Sequence, residues 1–370
     1  MKTLKVLLLF DLSVNIKPEE YSQYWDNPDW KTEKEVRKTL TELGHEVIPF
    51  GMYDDIEPFL KLVKEKQPDL VFNMSEAFSG NRNLEPHMTA LLQLVGVPFT
   101  GAGPKSLQLC KDKGLTKVIL DYHGILTPRF LVAKKSKPVP SFKKFPFPAF
   151  VKPLQLESSE GISQHSYVEN EKEATARVAF IHEKFGVDAI IEEFIDGREV
   201  YVSVLGNEKL NVFPPRELFF KQKSEAEPKF ATYRTKWDQA YRKKWGIDSG
   251  WAAKMTDSEE KKLQETCKRI YRLLQIQGFG RIDLRIKDNG DIFFIEANRN
   301  RLHIIDLPVK NNRNTNEDDR QCKLQSNKNI PHAVATVYIA QPAFNHITYF
   351  KCRKPPGWQA ASNQCYYNAY

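Results

Sequence analysis

Short apolar runs alternate with amphipathic stretches along the first hundred residues. Residues 5–10 (Lys-Val-Leu-Leu-Leu-Phe) are a continuous apolar run after one lysine, which predicts a buried strand. Residues 31–43 carry apolar positions at helical spacing and run into Gly44, a good helix stop. Further strands are predicted over 47–50, 70–73 and 97–100, and helices over 56–65 and 86–95. Repeated strand–helix–strand units with short loops imply a parallel sheet covered on both faces. The Gly101-Ala102-Gly103-Pro104 turn closes this unit and places a first boundary near residue 105.

Beyond it, a basic amphipathic helix is predicted over 108–122, followed by a Lys/Pro-rich loop over 134–148. A second α/β segment runs over 150–186. Strands over 189–194 and 199–205 follow, then a polar, aromatic-rich insertion (219–251), a helix (257–275) and a strand pair (280–287 and 292–297). Asp288-Asn289-Gly290 between the last two strands is a strong hairpin signal. No internal repeat is visible. The fold class is therefore α/β, in parts 1–105, 106–187 and 188–298. Residues 299–370 look different: Asn is frequent, Cys322, Cys352 and Cys365 fall there, and apolar periodicity is weak outside 333–340.

Composition narrows the class. A chain of 370 residues with 41% hydrophobic content has room for two or three domains of roughly 100–200 residues each. No apolar run approaches the ~20 residues that span a bilayer, and the run after Lys2 stops at Asp11, too short for a secretory signal. Five cysteines with no close pair fit a reducing compartment, so a cytoplasmic protein with no membrane partner is expected. The net charge of +8 invites a nucleic-acid reading. Its location argues against one: residues 299–370 hold ten Lys and Arg against four Asp and Glu, which leaves 45 against 43 in residues 1–298. The body is nearly neutral, and the tail carries no nucleic-acid motif.

Three stretches carry candidate chemistry. Phe150-Val151-Lys152-Pro153 is a strand that delivers a lysine, followed by Glu157-Ser158-Ser159-Glu160-Gly161-Ile162, a small loop rich in backbone N–H groups and hydroxyls. That combination suits a polyphosphate, although it lacks the P-loop spacing and by itself better fits an exposed serine-rich turn. In Ile190-Ile191-Glu192-Glu193-Phe194-Ile195-Asp196-Gly197-Arg198-Glu199, two strands are expected to meet at a tight Asp-Gly turn. Such an edge offers backbone groups to an adenine and a carboxylate to ribose hydroxyls; taken alone, a plain hairpin with solvated charges fits better. The third stretch pairs Gly280-Arg281-Ile282-Asp283-Leu284-Arg285 with Phe293-Phe294-Ile295-Glu296-Ala297-Asn298. Alternate side chains share a strand face, so Arg281 and Asp283 go together, as do Glu296 and Asn298, and a hairpin makes the four converge. Two carboxylates and an amide are oxygen donors of the kind Mg²⁺ prefers beside phosphates, and an arginine can stabilise a developing anion. A merely wet sheet face is the poorer account, because Asp, Glu and Asn are poor strand formers.

The order of these motifs resembles the ATP-grasp enzymes, specifically the D-alanine–D-alanine ligase-like group, over the whole of residues 1–298. The sequence of features is Asp112-Lys113, Val151-Lys152-Pro153 with Ser158-Ser159-x-Gly161, Glu192 to Glu199, Lys236, Arg281-x-Asp283 and Glu296-x-Asn298. The resemblance implies an ATP-grasp fold with an N-terminal parallel-sheet (preATP-grasp) domain. It implies that Lys113 and Lys152 bind the α/β phosphates, that Ser158, Ser159 and Gly161 form the loop over the nucleotide, and that Glu192, Phe194 and Ile195 meet adenine and Glu199 the ribose. Lys236 would reach the γ-phosphate; Asp283, Glu296 and Asn298 would hold two Mg²⁺ ions, with Mn²⁺ as the alternative; Arg281, Ser158 and Lys236 would be the catalytic groups. The implied reaction is ATP-dependent ligation of a small carboxylate to an amine, amino acids being the natural pair, through an acylphosphate. Dimers are common in the group, which makes a homodimer the implied assembly.

Departures from the group's pattern are specific. Asp11-Leu12-Ser13 stands where the group has a Glu/Ser signature, a Tyr- and Trp-rich insertion follows over 21–30, and Asn73-Met74-Ser75-Glu76 lacks the usual Gly-Glu-Asp-Gly loop. Glu76, Glu85 and His87 are candidates to face a substrate instead, His87 equally a helix cap. Trp237 replaces the tyrosine after the γ-phosphate lysine. The first-substrate pocket is accordingly expected to be rebuilt, with another amino acid or small carboxylate as the alternative to D-alanine. After Asn298 the chain reads Arg299-Asn300-Arg301-Leu302-His303 instead of the group's Pro, Gly and small residues. The expectation is that residues from about 299 on are a frameshifted reading of the gene, giving a catalytically impaired ATP-binding protein as the alternative function. Sequencing the locus decides it, an uninterrupted frame with a matching native mass being the result against.

Overall fold

The run of apolar residues at 6–10 becomes the middle of the first sheet. The computed structural model describes residues 3–157, 159–222 and 229–298, with backbone alone at Lys236 and Trp237. Ser158 and the segment 299–370, with the frameshift expectation attached to it, lie outside the described residues. Strand β1 (Lys5–Asp11) is flanked in parallel by β2 (Glu46–Met52) and β3 (Leu70–Asn73), in the order β2-β1-β3. Alternation along β1 sends Val6, Leu8 and Phe10 into one core and Leu7 and Leu9 into the other. Helix α1 (Lys31–Glu42) covers the first face with Leu40, while α2 (Glu57–Lys66) and α3 (Glu85–Val95) cover the second with Phe59, Val63, Met88 and Leu92.

The aromatic insertion is part of that packing. The rings of Tyr21, Trp25 and Trp30 lie 5.8, 6.1 and 5.0 Å from Phe10, and the Tyr21 hydroxyl accepts from the Gly51 N–H at 2.8 Å. The strand expected over 97–100 is not one: Phe99 makes only an isolated parallel bridge to Val71. Pro98 has no N–H to donate and contributes its carbonyl alone, to Val71 N at 2.8 Å.

The helix expected over 108–122 is two helices, α4 (Pro104–Lys111) and α5 (Lys113–Tyr122). Asp112 takes an extended conformation between them and its carboxylate accepts from Leu115 N at 2.9 Å, so one residue ends the first helix and caps the second. The central sheet is antiparallel, β4-β7-β5-β6, formed by β4 (Phe130–Ala133), β5 (Ala149–Pro153), β6 (Tyr167–Val168) and β7 (Ala189–Glu193). Helix α6 (Glu171–Phe185) packs Ala174, Val178 and Ile181 against it.

The last sheet is built from β8 (Arg198–Leu205), β9 (Asn211–Val212), β10 (Arg216–Phe220), β11 (Ile247–Trp251), β12 (Phe279–Ile286) and β13 (Ile292–Asn298). Its order is β11-β10-β8-β12-β13, with β9 on β8. Two short helices, α7 (Tyr233–Trp237) and α8 (Gln239–Lys244), bridge β10 to β11, so the insertion over 219–251 is a hairpin with a helical tip. Helix α9 (Asp257–Leu273) starts at a reciprocal Thr256–Glu259 cap and covers the sheet with Leu263, Cys267 and Ile270. Cys110, Leu120 and Ile125 join this same core, so α4 and α5 brace the last sheet as well as leading into the central one.

The expected hairpin over 190–199 is corrected. Strands β7 and β8 belong to different sheets and do not pair with each other, so residues 194–197 carry the chain from one sheet to the next. Gly197 makes the crossing: its φ is 149°, and a Cβ there would meet the Ile286 carbonyl oxygen at 2.4 Å. Only glycine tolerates that approach. Gly197→Ala is expected to cost about 2 kcal/mol or more in urea unfolding; a change under about 0.5 kcal/mol would remove the constraint.

Candidate active site

Between the central and last sheets lies a cleft of about 680 Å³ including its open mouth. Its lining brings together Lys152 and Glu192 from the central sheet, Glu199 and Tyr201 from β8, and Asp283, Arg285 and Glu296 from β12 and β13. One end is aromatic: Phe150 and Phe230 meet edge to face at 4.9 Å, and Phe194 stands 6.3 Å from Phe230. Ile195, Ser159 and Ile162 also line the cleft. A flat apolar base and a charged polyphosphate would find matching ends here.

Lys152 ends β5 fully enclosed, and its amino group pairs with Glu192 at 3.0 Å. Glu192 also pairs at 3.0 Å with Lys117, a residue sequence reading passed over. Lys117 donates to the Ile295 carbonyl at 2.6 Å and lies 5.3 Å from the Phe294 ring. That carbonyl is available because the β12–β13 register slips at Asp283/Leu284: Asp283 pairs with Glu296 and Leu284 with Phe294, leaving Ile295 out of the ladder. Burial pushes the Lys117 amine down to about 8 against the opposing pull of Glu192. Burial also acts to lower Lys152, but Glu192, Glu296 and Asp283 outweigh it and hold the amine above its usual range. For Glu192, burial alone would raise the carboxyl; the two lysines prevail and keep it below the usual carboxylate range.

Lys113 is buried too, which lowers its pKa, and it donates to the carbonyls of Leu154 and Leu156 at 3.2 and 2.6 Å. It therefore braces the backbone leading into the serine loop and does not line the cleft. In that loop Ser159 and Gly161 both have positive φ, and Arg177 donates to the Gly161 carbonyl from α6. The loop touches the helical tip of the insertion: Tyr233 N donates to the Ile162 carbonyl at 3.3 Å, and Gln164 to the Tyr241 hydroxyl at 3.1 Å. Lys236 sits on that tip, in α7.

On the cleft floor the last hairpin pairs Arg281 with Asn298 and Asp283 with Glu296, the convergence expected from alternation. Arg281 donates to both Asp283 oxygens, at 2.8 and 3.0 Å, and Asn298 donates to Asp283 Oδ2 at 3.2 Å. No group of three or more His, Cys, Asp and Glu side chains poised for a metal occurs among the described residues. The oxygen set of Asp283, Glu296 and Asn298 nevertheless suits a hard divalent cation that completes its shell with phosphate and water. The β8–β12 register adds two groups that sequence reading missed: Arg285 opposite Glu199, and Tyr201 opposite Asp283. Spacing held the signal, since Arg285 is two residues beyond Asp283 and Tyr201 two beyond Glu199. Phe230, inside the insertion, had none.

The other candidates are placed elsewhere. His87 is exposed in the first turn of α3 and makes no cap; Glu85 is buried against Lys111 at 3.0 Å. Asp11, at the end of β1, accepts from Ser75 Oγ at 2.8 Å and from Glu76 N at 2.7 Å. Burial is the main cause that raises its carboxyl to about 6, with the Glu76 charge adding to it.

The two sheets facing across this cleft define an ATP-grasp fold. The profile "D-ala D-ala ligase C-terminus" matches residues 109–300. A D-alanine–D-alanine ligase of Aquifex aeolicus is 32% identical over 270 residues, 72% of this chain and 83% of that protein. An uncharacterised protein of Sinorhizobium fredii is 28% identical over 276 residues, 73% of this chain and 78% of its own length. In fold, the ATP complex of Bacillus anthracis D-alanine–D-alanine ligase matches with a TM-score of 0.57 at 18% identity, covering 80% of this chain and 86% of that one. The chain belongs to the D-alanine–D-alanine ligase family of ATP-grasp ligases. No helix among the described residues is long and apolar enough to cross a membrane.

Two predictions follow from these charges. Glu192→Gln is expected to lower stability by about 3 kcal/mol in urea unfolding, because it strands the buried Lys117 and Lys152 amines together, and the double variant with Lys117→Met to recover part of that loss; additive losses would show that the pair is not coupled. Asp11 is an acid whose folded pKa lies above its usual value, so the fold binds more protons than the unfolded chain between about pH 4 and 6, and stability falls as pH rises through that window. Urea midpoints across it are expected to show that slope in the wild type and not in Asp11→Asn; equal slopes would clear Asp11 of the effect.

Proposed function

We propose that this ATP-grasp ligase is an ATP- and Mg²⁺-dependent carboxylate–amine ligase that joins small amino-acid-like substrates through an acylphosphate. The observation that carries the reading is the register of the last hairpin, which sets Asp283 opposite Glu296 in the lining of the cleft that also holds Lys152, with the facing pair Arg281 and Asn298 bonded to Asp283. Phosphoryl transfer asks for positioning and charge neutralisation more than for a nucleophilic side chain.

In this reading a carboxylate oxygen of the first substrate attacks the γ-phosphorus of ATP, the bond to the β,γ-bridging oxygen breaks and ADP leaves. The amine of the second substrate then attacks the acyl carbon, the C–O bond to phosphate breaks, inorganic phosphate leaves and the nitrogen gives up a proton. Phe194 and Ile195 take the adenine end and Glu199 the ribose. Lys152 meets the α/β phosphates, the Ser158–Gly161 loop covers them with Lys113 bracing the backbone that leads into it, and Lys236 reaches the γ-phosphate. Asp283, Glu296 and Asn298 would hold the metal, which would supply neutralisation of phosphate charge. Arg281, steered by Asp283, faces the charge that develops in transfer.

D-alanine is the substrate named for several relatives; the altered first-strand edge at Asp11 and the Trp237 replacement support testing a wider set. ADP release from ATP and Mg²⁺ should be measured against D- and L-amino acids, singly and in pairs, and release that depends on an amino acid is the expected result. ATP binding without release across the whole panel would overturn the ligase reading for this chain. Glu296→Gln is expected to raise the Mg²⁺ requirement with the fold intact, and Lys152→Ala to weaken ATP binding about tenfold or more; an unchanged metal titration or ATP affinity would remove the corresponding assignment.

A further inference from the structure

Glu199 is already bonded on three sides. Arg285 Nη2 donates to its Oε2 at 2.8 Å, Ala231 N donates to the same oxygen at 3.2 Å, and the Tyr201 hydroxyl donates to Oε1 at 2.6 Å. An ionised carboxylate has about four acceptor positions, two on each oxygen. Among the described residues those on Oε2 are filled, and one on Oε1 remains.

Arg285 holds this arrangement from a fixed seat. It faces Glu199 directly across the β8–β12 ladder and is buried. Its other donors reach the Gly197 carbonyl at 3.0 Å and the Lys229 carbonyl at 2.7 Å, and its guanidinium carbon lies 5.4 Å from the Phe194 ring. The crossing turn, the segment before Phe230 and the carboxylate are thus tied to one planar fork, a geometry that an ammonium could not reproduce. A pair so enclosed is far from the weak exposed case.

Resting on the reading of the cleft as an ATP site, we propose that Arg285 is a positioning residue that fixes Glu199, through Oε1 alone, to read a single hydroxyl of the ribose. The cleft then tells a ribonucleotide from one deoxynucleotide but not from the other. A carboxylate with both oxygens open would read both hydroxyls of the vicinal pair.

Equilibrium binding of ATP, 2′-deoxy-ATP and 3′-deoxy-ATP to the full chain with Mg²⁺ tests this. One analogue is expected to bind about tenfold weaker than ATP and the other within about twofold, the size of one hydrogen bond to a charged group. Equal losses for both analogues, or a loss for neither, would overturn the inference. Arg285→Met is expected to narrow the gap between the analogues to less than about threefold, a ratio that general damage to the fold would not move; a gap of full size in that variant would overturn the positioning role. Should Arg285→Met fail to fold, Tyr201→Phe returns a second acceptor position on Oε1, and the analogue that the wild type tolerates is then expected to weaken; its staying at parity would count against the inference. Absence of ATP binding by the wild type would instead sink the nucleotide reading on which this rests.

Discussion

Everything about the cleft depends on a chain of buried charge, Lys117–Glu192–Lys152, set where the central and last sheets meet. Removing an ion from water costs several kcal/mol even after relaxation, and a partner offsets this only when geometry is good. Here two cations share one anion, so the junction keeps a local surplus of positive charge. Asp283 and Glu296 lie farther out along the cleft and offset it partially. A surplus of positive charge next to fixed carboxylates favours an anionic ligand that brings its own counter-ion. It is also a poor way to stabilise an empty fold, since well-packed apolar residues would do as well or better. The placement is therefore best understood through what the cleft binds.

The same chain explains how two separate sheets keep one geometry. Lys117 reaches Glu192 on β7 and the Ile295 carbonyl on β13, so a single side chain from α5 spans both walls. The backbone crosses between those walls at Gly197, where it lies against Ile286, and over residues 126–129, where the Leu126 carbonyl accepts from Phe294 N and the Arg129 carbonyl from Glu193 N. These two covalent crossings and one buried ionic crossing set the separation of Lys152 from the β12–β13 floor. The bulge at Ile295 belongs to this device, because a regular ladder would have claimed the carbonyl that Lys117 uses.

Legibility in the sequence follows the same physical lines. Local rules reached what local residues determine: the apolar run of β1, the Asp288-Asn289-Gly290 turn, and the i, i+2 pairs Arg281/Asp283 and Glu296/Asn298. They failed where a distant partner decides. The Asp-Gly turn before Arg198 looks like a hairpin because nothing in it reveals that its flanking strands pair elsewhere. Asp112 hid a helix break inside a continuous amphipathic pattern, since its cap and its predecessor's end coincide. Lys117 was invisible as a partner because a lysine on a basic helix reads as solvated until the fold buries it. The Tyr- and Trp-rich stretch at 21–30 read as a departure, and in the fold it roofs the first sheet against Phe10.

From the cleft lining outward, Arg285, Glu199, Tyr201, Arg281, Asp283 and Asn298 form an unbroken run of contacts across three strands. Tyr201 is the link between its halves, its hydroxyl on Glu199 and its ring 5.2 Å from the Arg281 guanidinium. Each member is oriented by a neighbour in the ladder, not by solvent, so little reorganisation remains when a ligand arrives. That is the condition under which fixed dipoles and charges act most strongly on a transferring phosphoryl group. Its corollary, on the proposed reading, is shared sensitivity: Arg285 and Glu199 at one end connect through Tyr201 to Arg281 and Asp283 at the other. On the proposed reading, sugar recognition and phosphoryl chemistry are parts of one polar ladder, whose register is set by the pairing of β8 with β12.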